Sequence, residues 1–194
     1  MRIPPPPPRG KTFAIHTAGH MLGKLAWEIS NLDRASKGDS FFDVRYTAFN
    51  CAVTAWHISD WAWEELDEEV KGDLSARAGD RIADVGTFQA FLRRQCRALH
   101  LCRQIATGSK HKVVQRGNDE NVTADLGWEV VDEATCEGTC DSPLRTYRQH
   151  AVIHDGSNML ETIDVFRDAF RYWERELASW FLIEDRVIFG DGED

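Results

Sequence analysis

The sequence predicts a mainly α-helical protein, in which four main helices form a bundle and a small antiparallel β insert lies between the third and fourth. Apolar residues recur at three- and four-residue steps over most of the 194 residues, which is the period of an α-helix. The pattern changes to the alternation typical of β-strands only between about residues 111 and 154. Hydrophobic residues make up 42% of the chain and charged residues 28%, a balance typical of a globular domain.

The first two helices are predicted from stripes of apolar residues. The first stripe covers residues 12–34 and ends at the sequence SKGDS, which breaks the helical pattern. Ser40 is the expected N-cap of a second helix that runs to about Glu69. Gly72 and Gly79 are expected to frame the loop that follows this helix.

The third helix, the insert and the fourth helix follow in that order. The third helix is predicted over residues 82–107, with Gly108 at its end. Three β-rich segments, separated by turn-forming residues, then predict a two- or three-stranded insert. Asn158 is the expected N-cap of the fourth helix, because the side chain of Glu161 can reach back to it. The strongest apolar stripe of the chain lies in this helix and consists of Leu160, Ile163, Phe166, Phe170, Trp173, Leu177 and Trp180.

The two ends of the chain differ in composition from the helical part. Residues 1–10 contain five consecutive prolines and are predicted to be a disordered tail, either a spacer or a ligand for a proline-binding partner. Residues 11–183 are predicted to form a single domain, and residues 184–194 form an acidic tail. We expect a cytoplasmic protein without membrane contact, because neither a secretory signal nor an apolar segment of roughly 20 residues is visible.

The charge is distributed unevenly along the chain. The net charge of −9 argues against a protein that coats nucleic acid non-specifically. Residues 93–116, however, contain no acidic residue. Such a run forms either a solvated helix face or a local anion-binding site, and both interpretations stay open. The basic residues of the run are Arg93, Arg94, Arg97, Arg103, Lys110, Lys112 and Arg116.

The sequence TAWHISDWAWEEL, residues 54–66, places His57 and Asp60 one helical turn apart among three tryptophans. Asp60 falls on the same predicted face as Phe49 and Trp56, so we expect its side chain to be largely buried. A buried carboxylate needs a partner, because an unpaired charge in the interior is costly. The expected partners are His57 and the loop of residues 109–111. The two residues are then either a structural clamp on this loop or a catalytic pair.

These motifs are the basis of a resemblance to known proteins. The sequences WHISDW and CRQIATGSKHK resemble a pair of motifs in a helical family of bacterial and phage proteins whose activity is not settled. The helical layout is more remotely similar to the HEPN superfamily, which includes RNases of toxin and defence systems. That superfamily has an Arg and a polar residue followed by a His at a helix end. Arg103 and Gln104 match the start, and His111 follows one residue later than the usual spacing.

The resemblance implies an RNA-binding protein or a metal-independent ribonuclease of a toxin or defence type, with two such sites across a homodimer. Metal-independent RNA cleavage needs a group that moves the 2′-hydroxyl proton and a cation that stabilises the phosphate. The candidate catalytic residues are Arg103, His111, His57 and Asp60, and the candidate anion-binding residues are Arg97, Lys110 and Lys112. No cofactor is expected.

Two other interpretations stay open. A metal site would use His16 and His20, but the sequence lacks the Glu-x-x-His motif of di-metal bundles, so no metal is predicted. Cys136 and Cys140 have no second Cys/His pair nearby to complete a zinc site. The remaining interpretation is a non-enzymatic interaction or oligomerisation module, favoured by the Trp-rich helices, the β insert and the proline run. The sequence does not decide whether the protein is an enzyme.

Overall fold

Six helices and a three-stranded sheet make up the described part of the chain. The fold is that of a computed structural model, which describes residues 13–38, 43–110, 118–134 and 144–183. Both predicted tails lie outside these ranges. None of the described helices combines the length and the apolar composition needed to cross a membrane. The elements are α1 (Ala18–Ser36), α2 (Val44–Glu65), α3 (Glu68–Ala78), α4 (Val85–Gln95), α5 (Arg97–Lys110), β1 (Val122–Ala134), β2 (Leu144–Asp155), β3 (Asn158–Glu161) and α6 (Thr162–Ser179).

One continuous hydrophobic core is built mainly by side chains of α1, α2, α5 and α6. α1 and α2 are antiparallel, since the backbone N–H of Ala18 at the start of α1 donates to the carboxylate of Glu65 at the end of α2. α6 contributes Trp173, which is fully buried and whose indole N–H donates to the carbonyl oxygen of Ala55 at 2.8 Å. The described chain is thus mainly helical with a small antiparallel sheet, as the sequence predicted.

The sheet has the strand order β1–β2–β3, and both pairings are antiparallel. β1 and β2 form a long hairpin whose pairing begins with Val122 opposite Asp155 and shifts register at a bulge after Val130. β3 pairs only with residues 152–155 at the end of β2. Among the described strands, β1 is therefore an edge strand along its whole length.

The second helix begins and ends at different residues from those predicted. Asp43 is its N-cap, because the Asp43 carboxylate accepts a backbone N–H of the first turn at 2.8 Å. Ser40, the predicted N-cap, lies outside the described residues. α2 ends at Glu65 rather than near Glu69, because Leu66 takes an extended backbone conformation.

A separate helix, α3, occupies the segment that was predicted to be a loop. Asp67 caps it by accepting the backbone N–H of Val70 at 2.8 Å, so a new helix starts soon after α2 ends. Gly72 lies inside α3, and Gly79 ends it in a left-handed conformation with φ of 66°. The prediction failed because the capping aspartate is hidden in an acidic run and does not differ in type from its neighbours.

The third predicted helix is broken in two at Cys96. The backbone is extended there, with φ of −138° and ψ of 110°, so α4 ends at Gln95 and α5 begins at Arg97. The apolar stripe nevertheless continues across the break, from Leu92 in α4 to Leu99 in α5, and both side chains are fully buried. This continuity explains why the sequence pattern predicted one helix.

The fourth predicted helix, α6, begins later than expected. Asn158 is not an N-cap but the first residue of β3, where it pairs with Asp155. Strand therefore extends beyond the predicted limit near residue 154. Glu161 holds the N-cap position of α6 but makes no side-chain capping bond, because its carboxylate binds the imidazole of His150 at 3.1 Å. The prediction failed because a four-residue strand has too few residues to show its period.

Replacing Trp173 by Ala should lower the free energy of unfolding by about 3–5 kcal/mol, because it opens a cavity in the core and removes the hydrogen bond to Ala55. The matched control is Trp27→Ala in α1, where the side chain is 60% exposed. The control should change the free energy by no more than about 0.5 kcal/mol. Urea denaturation followed by circular dichroism measures both changes. Equal losses would contradict the placement of α6 in the core.

Candidate functional site

Asp60 is exposed, contrary to the prediction that it is largely buried. Its carboxylate accepts a hydrogen bond from the side-chain amide of Gln89 in α4 at 3.0 Å, and the same amide donates to the hydroxyl of Ser59 at 2.9 Å. His57 is half-buried. The prediction was wrong because it placed Asp60 on the core-facing side of this turn, whereas Ser59 is the buried residue there.

The predicted clamp between Asp60 and residues 109–111 lies outside the described residues, because no side chain of this loop is described. The contact that the structure describes for Asp60 is the one with Gln89 of α4. His111 and Lys112 lie outside the described residues, and only the backbone of Lys110 is described.

A polar stripe runs along α4 and α5 on the side that faces the sheet. It consists of Arg93, Arg97, His100 and Gln104, which recur at helical intervals across the break. The guanidinium group of Arg97 binds both carboxylate oxygens of Asp155 at the end of β2, with an Nε to Oδ2 distance of 2.9 Å. Arg97 was predicted to bind an anion, and the carboxylate that it binds belongs to the protein itself.

His100 and Asp119 form a second contact, between α5 and the segment that leads into β1, with 2.9 Å between the imidazole Nε2 and the carboxylate Oδ2. Burial lowers the pKa of His100, and the charges of Arg97 and Arg93 lower it further. These effects outweigh the contact with Asp119, which raises the pKa of His100. The backbone N–H of Asp119 also donates to Gln104 at 3.2 Å. The result is an imidazole that is neutral at pH 7 and held by a carboxylate, which suits a general base.

Arg93, Arg94 and Arg103 form what we call the arginine cluster, at the outer side of the stripe. Burial lowers the pKa of Arg93, and the positive charges of Arg103 and Arg94 lower it further, so both arginines act on the charge of Arg93. Within the part of the chain that the structure describes, neither Arg93 nor Arg94 forms a salt bridge. This corner is therefore locally positive in an acidic protein and suits an anion.

A cavity of about 270 Å³ lies between the helices and the sheet. Arg45 lies in its lining, but the Arg45 guanidinium group is already bound to the carboxylate of Asp43, with Nε to Oδ1 at 2.9 Å. The lining is therefore mostly apolar and suits an apolar group better than an anion. Its apolar side chains include Ala48, Phe49, Ile105, Leu126, Ala151 and Phe166.

The apolar lining of this cavity continues onto an exposed face of the hairpin. Side chains alternate along a strand, so Leu126, Trp128 and Val130 point to the same side of β1. Tyr147 stands opposite Val130 in β2 and shares that side. Leu126 packs against the core, whereas Trp128 is 65% exposed and Tyr147 is 55% exposed. We call Trp128, Val130 and Tyr147 the hairpin face.

The described residues contain no group of three or more His, Cys, Asp or Glu side chains that could hold a metal ion. His16 and His20, the predicted alternative ligands, are close together, but the backbone N–H of His16 donates to Nδ1 of His20 at 3.1 Å. One ring nitrogen of His20 is therefore already occupied. Cys136 and Cys140 lie outside the described residues.

Sequence reasoning missed both the hairpin face and the pairing of His100 with Asp119. The alternating pattern of residues 122–130 predicted a strand. It did not show which part of that strand the helices would cover and which part they would leave exposed. The contact of His100 with Asp119 joins a helix to a residue outside any strand, at a separation of 19 residues. No periodic pattern reports such a contact.

Comparisons with protein-family models, with curated proteins and with solved structures give no match for this chain. The resemblance to the helical family of bacterial and phage proteins and the remote resemblance to the HEPN superfamily therefore stay predictions. The geometry of the described residues is the basis on which a function can be assigned.

His100 should make the stability of the protein depend on pH. Its pKa in the folded protein is lowered from the ordinary value of 6.5, so the unfolded chain binds more protons near that pH. The stabilisation is complete above pH 6.5 and is lost as the pH falls through the lowered pKa. When the pH is lowered from above this window to below it, the free energy of unfolding measured by urea denaturation should decrease more for the parent than for His100→Gln. Equal losses in the two proteins would contradict the lowered pKa.

Proposed function

We propose that this protein is an interaction module that binds another protein through the hairpin face. The observation behind the proposal is the continuity of apolar surface from the cavity at Leu126 to the exposed side chains of Trp128, Val130 and Tyr147. A contiguous exposed apolar patch on a highly charged chain marks an interaction site. Aromatic residues are also the side chains most enriched at the centres of protein interfaces.

The width of the hairpin also supports this proposal. Among the described strands, β3 pairs only with residues 152–155, so the rest of the described hairpin is two strands wide. A two-stranded hairpin is at best marginally stable in water unless one of its faces is covered. A partner on the hairpin face would supply that cover. In this proposal the four-helix bundle predicted from the sequence, with the sheet inserted between its third and fourth helices, is the rigid support of the hairpin in a cytoplasmic protein.

A photo-reactive p-benzoylphenylalanine in place of Val130 should give a discrete cross-linked adduct in cells that produce the full chain. The reason is that Val130 lies at the centre of the hairpin face. The matched control carries the same probe in place of Asp73, an exposed residue of α3. An adduct at position 130 that is absent at position 73, seen as a band on a denaturing gel, is the expected result. Equal labelling at both positions, or none at either, would overturn the proposal.

RNA binding at the arginine cluster is a second candidate function, and it is the one that the HEPN resemblance implies. Two observations favour it. Arg93 and Arg94 form no salt bridge with a described carboxylate, and guanidinium groups suit phosphate. His100 lies in the same stripe as a neutral imidazole, which suits proton transfer from a 2′-hydroxyl without a metal.

The residues predicted from the sequence stay part of this second candidate. Asp60 is linked to the cluster through Gln89, whose side-chain amide donates to Asp60 and whose backbone carbonyl oxygen accepts from the Nε of Arg93 at 3.4 Å. The proposed site consists of the cluster and His100 together with His57, Asp60 and Arg97. Lys110, His111 and Lys112, whose side chains lie outside the described residues, stay predictions for this site from the sequence.

In the presence of a chelator, the parent protein should bind or cleave mixed RNA, and its affinity should fall steeply with salt, as phosphate contacts require. Arg93→Ala and Arg103→Ala should each reduce the slope of log affinity against log salt by about 1. The control is Arg171→Ala, an exposed arginine of α6 that is paired with Asp168. Intact RNA together with an affinity that does not respond to salt would remove this candidate.

A further inference from the structure

We infer that a second copy of this chain joins the first along β1, beside the hairpin face, so that two copies share one apolar surface. This inference rests on the proposed function and assigns a partner to the edge of that surface. β1 is the edge of the described sheet, so its outer N–H and C=O groups have no strand beside them. A strand added to this edge would lie beside the open end of the cavity, since Ala124 and Leu126 of β1 line it.

The other side of the hairpin is a poorer place for a second strand. The outer side of β2 is also unpaired before residue 152. A strand laid there would run into β3, which occupies the same side of β2 from residue 152 onward, and into α6, which follows β3 directly. No described strand pairs with the outer side of β1 over its 13 residues, although α5 contacts β1. The longer edge is therefore the one that we assign to the second copy.

The symmetry of such a pair follows from the apolar face. Two copies related by a two-fold axis normal to the sheet pair antiparallel and present the same face on the same side. Directly opposite residues of paired strands point to the same side of the sheet. The apolar positions of β1 therefore stand opposite apolar positions of the second copy. The two hairpin faces then form one surface in the middle of a continuous sheet.

The acidic residues of β1 limit the position of the two-fold axis. An axis at Gly127 would place Asp125 opposite Glu129 of the second copy, and an axis at Glu129 would place that carboxylate opposite itself. Like charges directly opposite one another destabilise a sheet. An axis at Trp128 avoids both conflicts, because Glu129 then stands opposite Gly127 of the second copy.

The space beside Gly127 is already filled on the polar side of the hairpin. A Cβ atom at Gly127 would lie 2.2 Å from Nε2 of His150, so the imidazole ring covers this glycine. With the axis at Trp128, Glu129 of the second copy lies on the same side as this imidazole, whose Nδ1 contacts Glu161 and whose Nε2 faces Gly127. In this register neither Asp125 nor Glu129 stands directly opposite another of these two acidic residues.

An axis at Leu126 would also keep the acidic residues from standing opposite one another, but the helices exclude it. The two Ala124 residues would then be offset by only four positions, about 13 Å along the strands. Ala124 packs beside the helices in each copy, and one helix alone has a diameter of about 10 Å. An axis at Trp128 increases the offset to eight positions, about 26 Å, which leaves room for both helical bodies.

The second copy then completes the cavity. With the axis at Trp128, Val130 of the second copy stands opposite Leu126, which lines the cavity of the first copy. Each copy thus supplies an apolar side chain at the mouth of the other's cavity. The two Trp128 side chains meet at the axis, as a cross-strand aromatic pair.

A disulfide at the axis tests this register. In a full chain in which Cys136 and Cys140 are replaced by Ser, Trp128→Cys should form a covalent dimer on mild oxidation. The two Cα atoms of a directly opposite pair lie about 5 Å apart, within disulfide reach. Glu129→Cys is the matched control, because its two copies would be offset by two residues and their Cα atoms would lie about 8 Å apart, beyond that reach.

A second pair of cysteine variants tests the same register without replacing Trp128. An equal mixture of Leu126→Cys and Val130→Cys chains should cross-link, whereas neither chain should cross-link alone. Light scattering of the parent chain should give the mass of two copies. These results together support the inference.

Three outcomes would overturn the inference at different points. A monomeric parent would exclude the second copy. A dimeric parent without either cross-link would exclude the register at Trp128. A monomeric parent whose position-130 photo-adduct is with a different protein would exclude the second copy and leave the proposed interaction function standing.

Discussion

The contact of Arg97 with Asp155 fixes where the sheet sits on the helices. Arg97 begins α5 and Asp155 ends β2, so one bidentate contact joins the two parts of the fold. The Arg97 side chain is half exposed, and such a pair contributes little free energy, in most cases no more than about 1 kcal/mol. Its importance lies in geometry, because it fixes the end of β2 and with it the direction in which the hairpin leaves the helices.

The helical part shows what a periodic pattern can and cannot establish. The sequence placed Phe49, Trp56 and Asp60 on one core-facing stripe of α2. In the structure Trp56 is buried as predicted, but Phe49 and Asp60 are exposed, and the fully buried residues of α2 are small apart from Ile58. The physical reason is that α2 packs against α1, α5 and α6, and close approach of several helices favours small side chains. The helical period of α2 was therefore predicted correctly, but the predicted core-facing side was rotated about the helix axis relative to the observed one. The buried small residues of α2 are Cys51, Ala52, Ala55, Ser59 and Ala62.

The candidate sites were predicted only as far as their residues are neighbours in sequence. The acid-free run identified the region of the arginine cluster, since Arg93 and Arg94 are adjacent and Arg103 follows within the same run. The acidic partner of Arg97 lies 58 residues away, and no spacing rule connects the two. The strand of Trp128 was also predicted, but its exposure depends on where the helices end in space. Composition alone does not contain that information.

The separation of Arg97 from Asp155 also has a consequence for the order of folding. The helices and the hairpin form from contacts between residues that are near in sequence, and such contacts form quickly. Joining them at Asp155 closes a loop of 58 residues, and the entropy cost of closing a loop rises with its length. The docking of the sheet on the helices should therefore follow the formation of the hairpin and of the individual helices. Before it docks, Leu126 and Ile153 on the hairpin and the flank of α2 that they cover are open to solvent together, and this is the stage at which the chain is most exposed to aggregation.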